Sequence, residues 1–386
     1  MEAFADRLGV GSRQLRRLFN QHLGASPIAV VQTQRLHLAK QLLHDTDLPM
    51  AEVALASGFR SLRRFNETFR TLYRRSPSKL RRSGSRRSRP SVSTIDLQLP
   101  YRSPYDWPAM LQFLAARAIT GVERVSEGSY ARTISHEGLA GIIAVAHLPK
   151  KQSLRVTVKF PNVGALGSII ARVRRMFDLD ADVQAIGHAL RRDPLLRRLV
   201  DARPGLRVPG GWSGWEVGVR AVLGQQVSLE QGRRLVERLA VGCGAAVDVE
   251  DDHLVRVFPG PTQILVGGAL AALGVPKQRR ASLESLAAAA LGDVDCFRAA
   301  ETTEETVSRL RSISGIGDWT AHYVAMRAAH DPDAFPATDA ALRRSYRKHA
   351  RLSAHGGDLV AHAERWRPWR AYAAQHLWTV DGPIGE

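Results

Sequence analysis

Residues 310–342 read LRSISGIGDWTAHYVAMRAAHDPDAFPATDAAL, and this stretch decides how the surrounding region folds. Gly315 and Gly317 flank one apolar residue directly before a helical run over residues 319–329. Paired glycines allow a tight turn, and the first turn of a helix leaves amide groups unpaired at the positive end of its dipole. The stretch therefore predicts an anion site. Asp339 follows Gly317 by 22 residues, so we expect its carboxylate close to that site.

Each of these features also has an ordinary structural interpretation. A Gly-Ile-Gly sequence before a helix is commonly only a helix start, and an Asp at a helix N-terminus is commonly only a cap. A phosphate site beside a single carboxylate would instead indicate work on the backbone or sugar of a nucleic acid. The remainder of the chain has to distinguish these interpretations.

The composition is that of a multidomain globular protein. The chain has 386 residues, 44% of them hydrophobic and 24% charged, which is enough for two or three domains. Two cysteines, Cys243 and Cys296, are too few for a disulfide framework or a four-thiolate metal site, and the 13 His have no clustered ligand spacing. We expect no metal and no small-molecule cofactor. The chain has no signal-peptide pattern and no apolar run of about 18 residues, so we expect a cytoplasmic protein without membrane contact.

The charge is strongly positive and unevenly distributed. The net charge is +18, and residues 1–90 contain 18 Lys and Arg against 6 Asp and Glu, so this stretch carries +12 of the total. A basic N-terminal module joined to a milder body indicates a polyanionic partner, which we expect to be double-stranded DNA. The module is not a simple basic tail, because its apolar residues have helical periodicity.

Residues 1–83 contain an internal repeat of two helix-turn-helix units. Ser12 and Ser61 are placed to cap the second helix of each unit, and each unit ends in Ser-Pro, at Pro27 and Pro77. A helix over 28–43 connects the units. The second helices carry cations that can reach phosphates and base edges in major grooves, of which we select Arg13, Arg16, Arg63 and Arg64.

This arrangement resembles the AraC-type DNA-binding domain, including its turn ASGFRS at residues 56–61. Two departures are visible. Only about one helical turn precedes Leu8, so the helix that the family places before the first unit is missing, and the domain is predicted to be N-terminally incomplete. Arg74 stands where glycine is common in that family. Residues 84–93 are predicted to form a basic linker.

Residues 94–205 predict an α+β domain with an antiparallel sheet. Alternating apolar residues indicate strands, and helical spacing indicates helices between and after them. The predicted strands are 93–99, 130–134, 141–146 and 154–160, and the predicted helices are 107–118, 169–177 and 181–188. The string YDWPAMLQFLAARAITGVERV at 105–125 resembles the N-terminal domain of AlkA-type DNA glycosylases. That resemblance makes Phe113 and Arg117 candidates for a base pocket.

Residues 206–386 predict an all-helical body, with a Gly-Gln-Gln turn between its first two helices. The predicted helices are 215–223, 229–239, 261–272, 277–291, 303–310, 320–329, 340–350 and 369–377. Gln225 and Gln226 place polar groups at an apolar helix boundary, where they either form local caps or insert into a base stack.

Five motifs of this body resemble helix-hairpin-helix DNA glycosylases of the AlkA type, in family order and spacing. They are RPGLRVP (203–209), GVRAVLGQQVS (218–228), ISGIGDWTAHYVAMR (313–327), FPATD (335–339) and ERWRPWRAYAAQHLW (364–378). The whole chain resembles the rear part of an Ada–AlkA fusion, without its methyl-accepting cysteine module. The resemblance implies a mainly α multidomain protein: a double helix-turn-helix, a TBP-like antiparallel sheet domain, and a helix-hairpin-helix body.

The resemblance also implies roles for particular residues. Asp339 becomes the catalytic carboxylate, which stabilises an oxocarbenium-like sugar. The implied base pocket comprises Trp319, Tyr323, Trp378, Phe113 and Arg117. The implied DNA contacts in the body are Gly315, Ile316, Gly317, Thr320, Gln225 and Gln226, with Gln226 at the position that inserts into the duplex. Related enzymes that nick the strand have a lysine directly before the hairpin Thr, whereas this chain has Trp319.

We therefore expect a monomeric, monofunctional glycosylase that releases alkylated bases of the 3-methyladenine and 7-methylguanine type from duplex DNA and leaves an abasic site. Two alternatives remain open. The chain is an AraC-family regulator of the alkylation response whose glycosylase body serves as sensor or scaffold, or the same scaffold acts on uracil or mismatched bases.

Overall fold

The computed structural model describes residues 2, 5, 10–81, 94–247, 251–266, 268–293, 295–351 and 358–380. The predicted linker 84–93 and most of residues 4–8 lie outside the described residues. Contact density divides the chain into two units. The first contains residues 1–97 and 161–169, and the second contains residues 98–160 and 170–386.

The first unit contains the predicted helix-turn-helix repeat. Its helices are α1 (Ser12–Leu23), α2 (Pro27–Asp45), α3 (Met50–Ala56), α4 (Leu62–Tyr73) and the single turn α5 (Pro77–Leu80). The second turn has Gly58 at a φ of +79°, between α3 and α4. The buried side chains of Leu36, Val53, Phe65 and Phe69 form its core.

Two repeat positions explain how the helices of this unit begin and end. Gly24 and Arg74, 50 residues apart, both end their helices in the left-handed conformation, with φ of +64° and +53°. Glycine adopts this conformation without cost, whereas arginine is strained there. Ser61 caps α4 as expected, by accepting a hydrogen bond from the amide of Arg64. The expectation that Ser12 caps α1 is wrong. Gly11 is the N-cap residue, and no side chain caps the start of the helix.

The predicted antiparallel sheet is confirmed and has one more strand than expected. Its strands are β1 (Thr94–Pro100), β2 (Glu123–Ser126), β3 (Ser129–His136), β4 (Leu139–Leu148) and β5 (Ser153–Lys159), in the order β1-β5-β4-β3-β2. Ile134 lies opposite Gly141, and Val145 opposite Val156. Strand β2 escaped prediction because it is short and has no clear alternation. The helices of this part are α6 (Trp107–Ala115), α7 (Leu166–Met176), α8 (Val183–Leu190) and α9 (Pro194–Ala202).

The second unit continues as the predicted helical body. Its helices are α10 (Gly214–Leu223), α11 (Leu229–Cys243), α12 (Pro261–Leu265), α13 (Ala269–Ala272), α14 (Lys277–Gly292), α15 (Thr303–Arg311), α16 (Asp318–Val324), α17 (Ala340–Arg351), α18 (Leu359–Ala363) and α19 (Arg370–Val380). The expected single helix over 261–272 is wrong. The chain breaks it near Gly268, whose φ is +68°.

The helical run that follows the glycine turn changes its winding before it ends. Helix α16 passes directly into a π-helix, Ala325–Ala329, which His330 ends with a φ of +57°. π-helical turns are uncommon and occur frequently at functional sites. Here the π-helix carries Arg327, whose side chain is buried.

No helix of the described part of the chain is long and apolar enough to cross a membrane.

Candidate active site

A cavity of about 320 Å³ opens between the ends of helices α10, α11, α16 and α17. Its wall combines apolar residues with several guanidinium groups, aromatic rings and one carboxylate. The lining residues that carry chemistry are Arg117, Arg220, Arg327, Arg344, Trp319, Tyr323, Trp378 and Asp339. The cavity therefore collects Asp339 and four of the five residues predicted for the base pocket.

The carboxylate of Asp339 is fixed by three N–H donors. The indole Nε1 of Trp319 donates to Oδ2 at 2.8 Å, and the indole Nε1 of Trp378 donates to Oδ1 at 3.0 Å. The amide of Leu342 also donates to Oδ1, at 2.8 Å, so Asp339 caps α17. A carboxylate has about four acceptor directions. Among the described residues, three are used, which leaves Oδ2 able to face a molecule in the cavity.

The aromatic rings of the cavity form a layered wall. The rings of Trp319 and Tyr323 stack with centroids 5.2 Å apart and an interplanar angle of 17°. One face of Tyr323 is therefore covered by Trp319, and a planar ligand would stack on the remaining faces. Trp378, from α19, is buried at the other side of Asp339.

A cluster of cations surrounds Tyr323 at the inner end of the cavity. The guanidinium of Arg327 lies 5.1 Å from the centre of the Tyr323 ring and 5.5 Å from that of Trp378. Burial lowers the pKa of Arg327 to about 10, and burial also lowers the pKa of Arg117. Burial raises the pKa of the Tyr323 phenol, but Arg327 and Arg117 outweigh this effect and hold that pKa below its usual value.

Phe113, the fifth residue predicted for the base pocket, lies next to the cavity. It lines a small adjoining cavity of about 40 Å³ and is not among the residues that line the larger one. The guanidinium of Arg117 lies 3.9 Å from the centre of its ring, and that of Arg327 lies 4.4 Å from it. Phe113 thus contacts two cavity arginines through cation–π interactions, and its contact with a base stays a prediction.

A buried network of ion pairs lies next to the cavity and shares Arg220 with its wall. Arg220, on α10, donates to Glu123 at 2.6 Å, to Glu216 at 2.8 Å and to the carbonyl of Arg117 at 2.7 Å. Arg132 donates to the second oxygen of Glu216 at 2.8 Å. The network connects strands β2 and β3 to α10, because Glu123 and Arg132 belong to the sheet. Burial opposes the ionised form of Glu216, but Arg132 and Arg220 outweigh it and lower its pKa to about 2.

The Gly-Ile-Gly turn is shaped by close packing. Gly315 has a φ of +83°, and a Cβ atom there would lie 1.9 Å from the Oγ of Ser282 on α14. No other residue fits that position. Ile316 is buried in the core, whereas a Cβ on Gly317 would meet nothing within 4 Å. The start of α16 is therefore open, with no side-chain cap.

Gln225 braces this turn from the neighbouring loop. Its side-chain amide donates to the hydroxyl of Thr320 at 3.0 Å and to the carbonyl of Gly315 at 3.3 Å. Its own carbonyl accepts from Arg279 at 2.6 Å. The buried Thr320 hydroxyl is thereby engaged inside the protein, so any DNA contact by Thr320 would use its backbone amide.

Gln226 directly follows Gln225 in the same loop. Its side chain is exposed, and its backbone has a φ of +56°, which is uncommon for a residue other than glycine. Gly224 and Val227 line the cavity, so Gln226 lies next to it in the chain. Strained backbone of this kind is found frequently at functional sites.

Sequence reasoning assigned no role to Arg220, Arg327 or Arg344, although all three line the cavity. One signal was present. Arg220 and Arg327 each lie inside an apolar helical run, in GVRAVL and YVAMRAA, where a charged residue is seldom buried without a partner or a function.

The four predicted DNA contacts of the first unit are exposed on its helices. Arg13 and Arg16 lie on α1, and Arg63 and Arg64 lie on α4. Arg63 donates to Glu67 one turn later, at 2.9 Å, and both side chains remain solvent-exposed. Such exposed pairs contribute little to stability, so this pair holds Arg63 in place only weakly.

Within the residues that the structure describes, no group of three or more His, Cys, Asp or Glu could hold a metal ion.

Comparison with known proteins first identifies the fold. A 3-methyladenine DNA-glycosylase from Archaeoglobus fulgidus superposes with a TM-score of 0.63, covering 74% of this chain and 97% of that one at 20% sequence identity. The described architecture is therefore that of the helix-hairpin-helix DNA glycosylases.

Sequence comparison identifies the family. Residues 96–213 match the AlkA N-terminal domain, and residues 4–83 match a helix-turn-helix domain. The "Probable bifunctional transcriptional activator/DNA repair enzyme AlkA" of Mycobacterium tuberculosis is 37% identical over 392 residues, which cover all of this chain and 78% of that protein. DNA-3-methyladenine glycosylase 2 of Escherichia coli is 34% identical, over 74% of this chain and 97% of that protein. The chain belongs to the AlkA family of DNA-3-methyladenine glycosylases.

Proposed function

We propose that this protein is a DNA repair glycosylase that flips an alkylated base into the cavity and hydrolyses its N-glycosidic bond, leaving an abasic site. One observation carries the proposal: the Asp339 carboxylate lies in the wall of a base-sized cavity and is held there by two indole N–H groups. Both the family membership and the basic character of the chain support duplex DNA as its partner.

Asp339 acts on the sugar. Cleavage of the bond builds positive charge on the deoxyribose, and a fixed carboxylate in a partly enclosed site stabilises that charge and orients the attacking water. The three N–H donors keep the carboxylate in place, so little reorganisation is needed during the reaction. A base alkylated at a ring nitrogen is already cationic and departs as a neutral molecule. A second carboxylate, as in glycoside hydrolases, is then unnecessary.

The aromatic side chains receive the base. Trp319 and Trp378, which line the cavity, provide π surfaces for an electron-poor ring, and cation–π attraction contributes roughly 0.5–2 kcal/mol. The guanidinium groups of Arg117 and Arg327 are hydrogen-bond donors only, so they suit the acceptor atoms on a purine edge. Tyr323 contacts both sets of groups, because it stacks on Trp319 and its ring lies 5.1 Å from the guanidinium of Arg327.

Hydrolysis without strand cleavage follows from the residue types of the wall. A glycosylase that also nicks the strand needs an amine to form a Schiff base. Trp319 occupies the place directly before Thr320, and no lysine is among the described residues that line the cavity. We therefore infer water as the nucleophile and an intact strand in the product.

The glycine turn and Gln226 engage the duplex. The open start of α16 offers backbone amides of Gly317 and the following residues to a phosphate. The exposed Gln226, between two residues near the cavity, enters the gap left by the flipped nucleotide. Flipping costs a few kcal/mol, and a glutamine in the gap offsets part of this cost by hydrogen bonding to the unpaired opposite base.

The direct test is release of free base from methylated duplex DNA, measured by chromatography. Wild-type protein is expected to release 3-methyladenine and 7-methylguanine, with EDTA present, and to leave strands that break only after alkali treatment. Asp339→Asn should release neither base. Uracil-containing duplex serves as a comparison substrate. Wild-type protein that released no methylated base would contradict the proposal, and strand cleavage without alkali would contradict the monofunctional mechanism.

We also propose that residues 1–83 recognise a DNA sequence, with 84–93 as a linker, 94–205 as the sheet domain and 206–386 as the glycosylase body. The exposed arginines on α1 and α4 and the helix-turn-helix match support this assignment. Selection from random duplexes should enrich one sequence with wild-type protein. Arg64→Gln should weaken that enrichment without lowering base release. Equal retention of all sequences by the wild type would contradict sequence recognition.

We also propose that the protein is a monomer, which light scattering of the purified protein would test.

A further inference from the structure

A second cavity, of about 230 Å³, shares no lining residue with the cavity that contains Asp339. Residues 132–135 of β3, Arg172 of α7, residues 212–216 at the start of α10 and residues 257–263 form most of its wall. We call it the β3 cavity. Some of its lining residues, such as Glu216, are buried, whereas Ser135 and Gln263 are exposed. A small molecule can therefore reach it from solvent.

The indole of Trp212 brings an unused hydrogen-bond donor to this cavity. Trp212 is only 7% exposed, and its Nε1 atom is buried without a hydrogen-bond partner among the described residues. The neighbouring Trp215 differs, because its Nε1 donates to the carbonyl of Pro259 at 2.8 Å. Buried N–H groups almost always have a partner, since an unmade hydrogen bond costs free energy. An indole N–H can only donate, so the partner that it lacks must be an acceptor.

The half-buried Arg172 brings a positive charge to the same place. Its guanidinium lies 5.4 Å from the centre of the Trp212 ring, and no ion pair joins it to a carboxylate of the described residues. Arg132 lies at a similar distance, 5.3 Å, but its two terminal nitrogens donate to Glu216 at 3.3 and 2.8 Å. Burial and the nearby charge of Arg175 lower the pKa of Arg172. An anion beside Arg172 would oppose both effects.

The rest of the wall includes apolar surface. Ile134, Trp215 and Phe258 line the cavity together with Arg172 and Trp212. A cavity of about 150 Å³ is large enough for benzene, so the β3 cavity has room for one ring with a small charged substituent. The guanidinium fork matches the paired oxygens of a carboxylate or a phosphate. These features together define the chemistry of a ligand.

We propose that the β3 cavity binds a small organic anion, which carries a carboxylate or phosphate on an apolar group about the size of one ring. Its oxygens accept from Arg172 and from Nε1 of Trp212, and its apolar group packs against Phe258 and Trp215. The site is separate from the reaction proposed for Asp339, because the two cavities have no lining residue in common. The protein therefore has a binding site for a small molecule in addition to its proposed site for a DNA base.

Calorimetric titration of the full-length protein tests the site, with three probes at constant ionic strength. Benzoate carries a carboxylate, phenyl phosphate carries a phosphate, and benzamide is an uncharged counterpart of benzoate. We expect wild-type protein to bind at least one of the two anions with a stoichiometry of one, and to bind benzamide about tenfold or more weakly. The comparison of benzoate with phenyl phosphate shows which anion the site prefers.

Two variants locate the binding, and a third is the matched control. Arg172→Gln should weaken anion binding about tenfold or more, because a hydrogen bond to a charged group is lost. Trp212→Phe keeps a ring beside Arg172, removes the N–H group and should also weaken binding. Arg175→Gln removes the same charge from the same helix, three residues later, at a position that does not line the β3 cavity. This control should bind within about twofold of the wild type. Circular dichroism without the probe checks the fold of each variant.

Anions that bound in the Asp339 cavity or at another basic surface would not depend on Arg172. Equal affinity of Arg172→Gln and Arg175→Gln would therefore overturn the inference. Wild-type protein that bound neither anion, as expected if the cavity holds only water, would overturn it as well. These titrations contain no DNA, so their outcome is independent of whether the protein releases alkylated bases.

Discussion

The indole nitrogen of Trp319 and the Oδ2 atom of Asp339 are joined by a hydrogen bond of 2.8 Å. The same indole ring stacks on Tyr323 and lines the cavity. The Trp319 side chain therefore has two roles. It belongs to the wall proposed to hold the base, and it positions the carboxylate proposed to act on the sugar. Stacking and carboxylate orientation are therefore coupled through Trp319.

Trp319→Phe separates these two contributions. Phenylalanine keeps an aromatic face against Tyr323 but cannot donate to Asp339. A hydrogen bond to a charged group contributes about 1.5–3 kcal/mol, so we expect the single-turnover rate of base release to fall about 10- to 100-fold. Affinity for duplex DNA with an abasic analogue should change little. A wild-type rate in this variant would show that the indole N–H does not position the carboxylate.

Gln226→Gly tests insertion into the duplex. Glycine tolerates the positive φ of this position, so the loop should keep its shape while the side chain is lost. We expect kcat/KM to fall about tenfold on duplex DNA, equivalent to about 1.4 kcal/mol of the flipping cost. On single-stranded DNA, which has no stack to fill, the variant should equal the wild type. An equal loss on both substrates would instead point to a damaged loop.

Glu216→Gln tests the ionic network below the cavity. Removing one partner of a buried ion pair costs about 3–5 kcal/mol, so the free energy of unfolding at pH 7 should fall by that amount. Because the pKa of Glu216 is about 2 in the folded protein and 4.5 without its neighbours, its contribution is present above pH 4.5 and is lost as the pH falls toward 2. Urea unfolding at several pH values would measure both effects. Stability of the variant equal to the wild type at pH 7 would contradict this account.

Asp178→Asn is expected to change the pH dependence of the stability in the opposite sense to Glu216→Gln. Burial raises the pKa of Asp178 to about 7, against the influence of Arg207 and of the hydrogen bonds from Tyr372 and Val208. A raised folded-state pKa stabilises the fold at low pH, and this contribution is lost as the pH rises from 3.8 to about 7. The variant should lack this loss, which amounts to at most about 4 kcal/mol. Thermal unfolding from pH 4 to 8 would show it as a smaller decline in Tm. An unchanged decline would exclude Asp178 as its source.

Local sequence patterns predicted most helices and the sheet, because amphipathic spacing and glycine breaks are local properties. The helix expected to follow Ser61 is present as α4, Leu62–Tyr73. Helices α9 and α18 were missed. Helix α18 has only five residues, too few for a clear periodic signal. Helix α9 does have that signal, because Leu195, Leu196, Leu199 and Val200 are buried at helical spacing, and it was overlooked.

The site was predictable only in part. The resemblance placed Trp319, Trp378 and Asp339 in one site, but no local pattern showed that both indoles donate to the same carboxylate. That arrangement depends on how α16 and α19 approach the start of α17. Likewise, Arg220 reaches Glu123, 97 residues earlier, through the pairing of sheet and helix. Tertiary contacts of this kind leave no periodic signal in the sequence.

The central claim is that the Asp339 carboxylate performs the hydrolysis, and single-turnover base release by Asp339→Asn tests it most directly. Asparagine can still cap α17, so circular dichroism and affinity for the abasic-analogue duplex should match the wild type. We expect the rate of release of 3-methyladenine from duplex DNA to fall by about 10²- to 10³-fold or more. Release by the folded, DNA-binding variant within threefold of the wild-type rate, or about 0.7 kcal/mol in the barrier, would contradict the account.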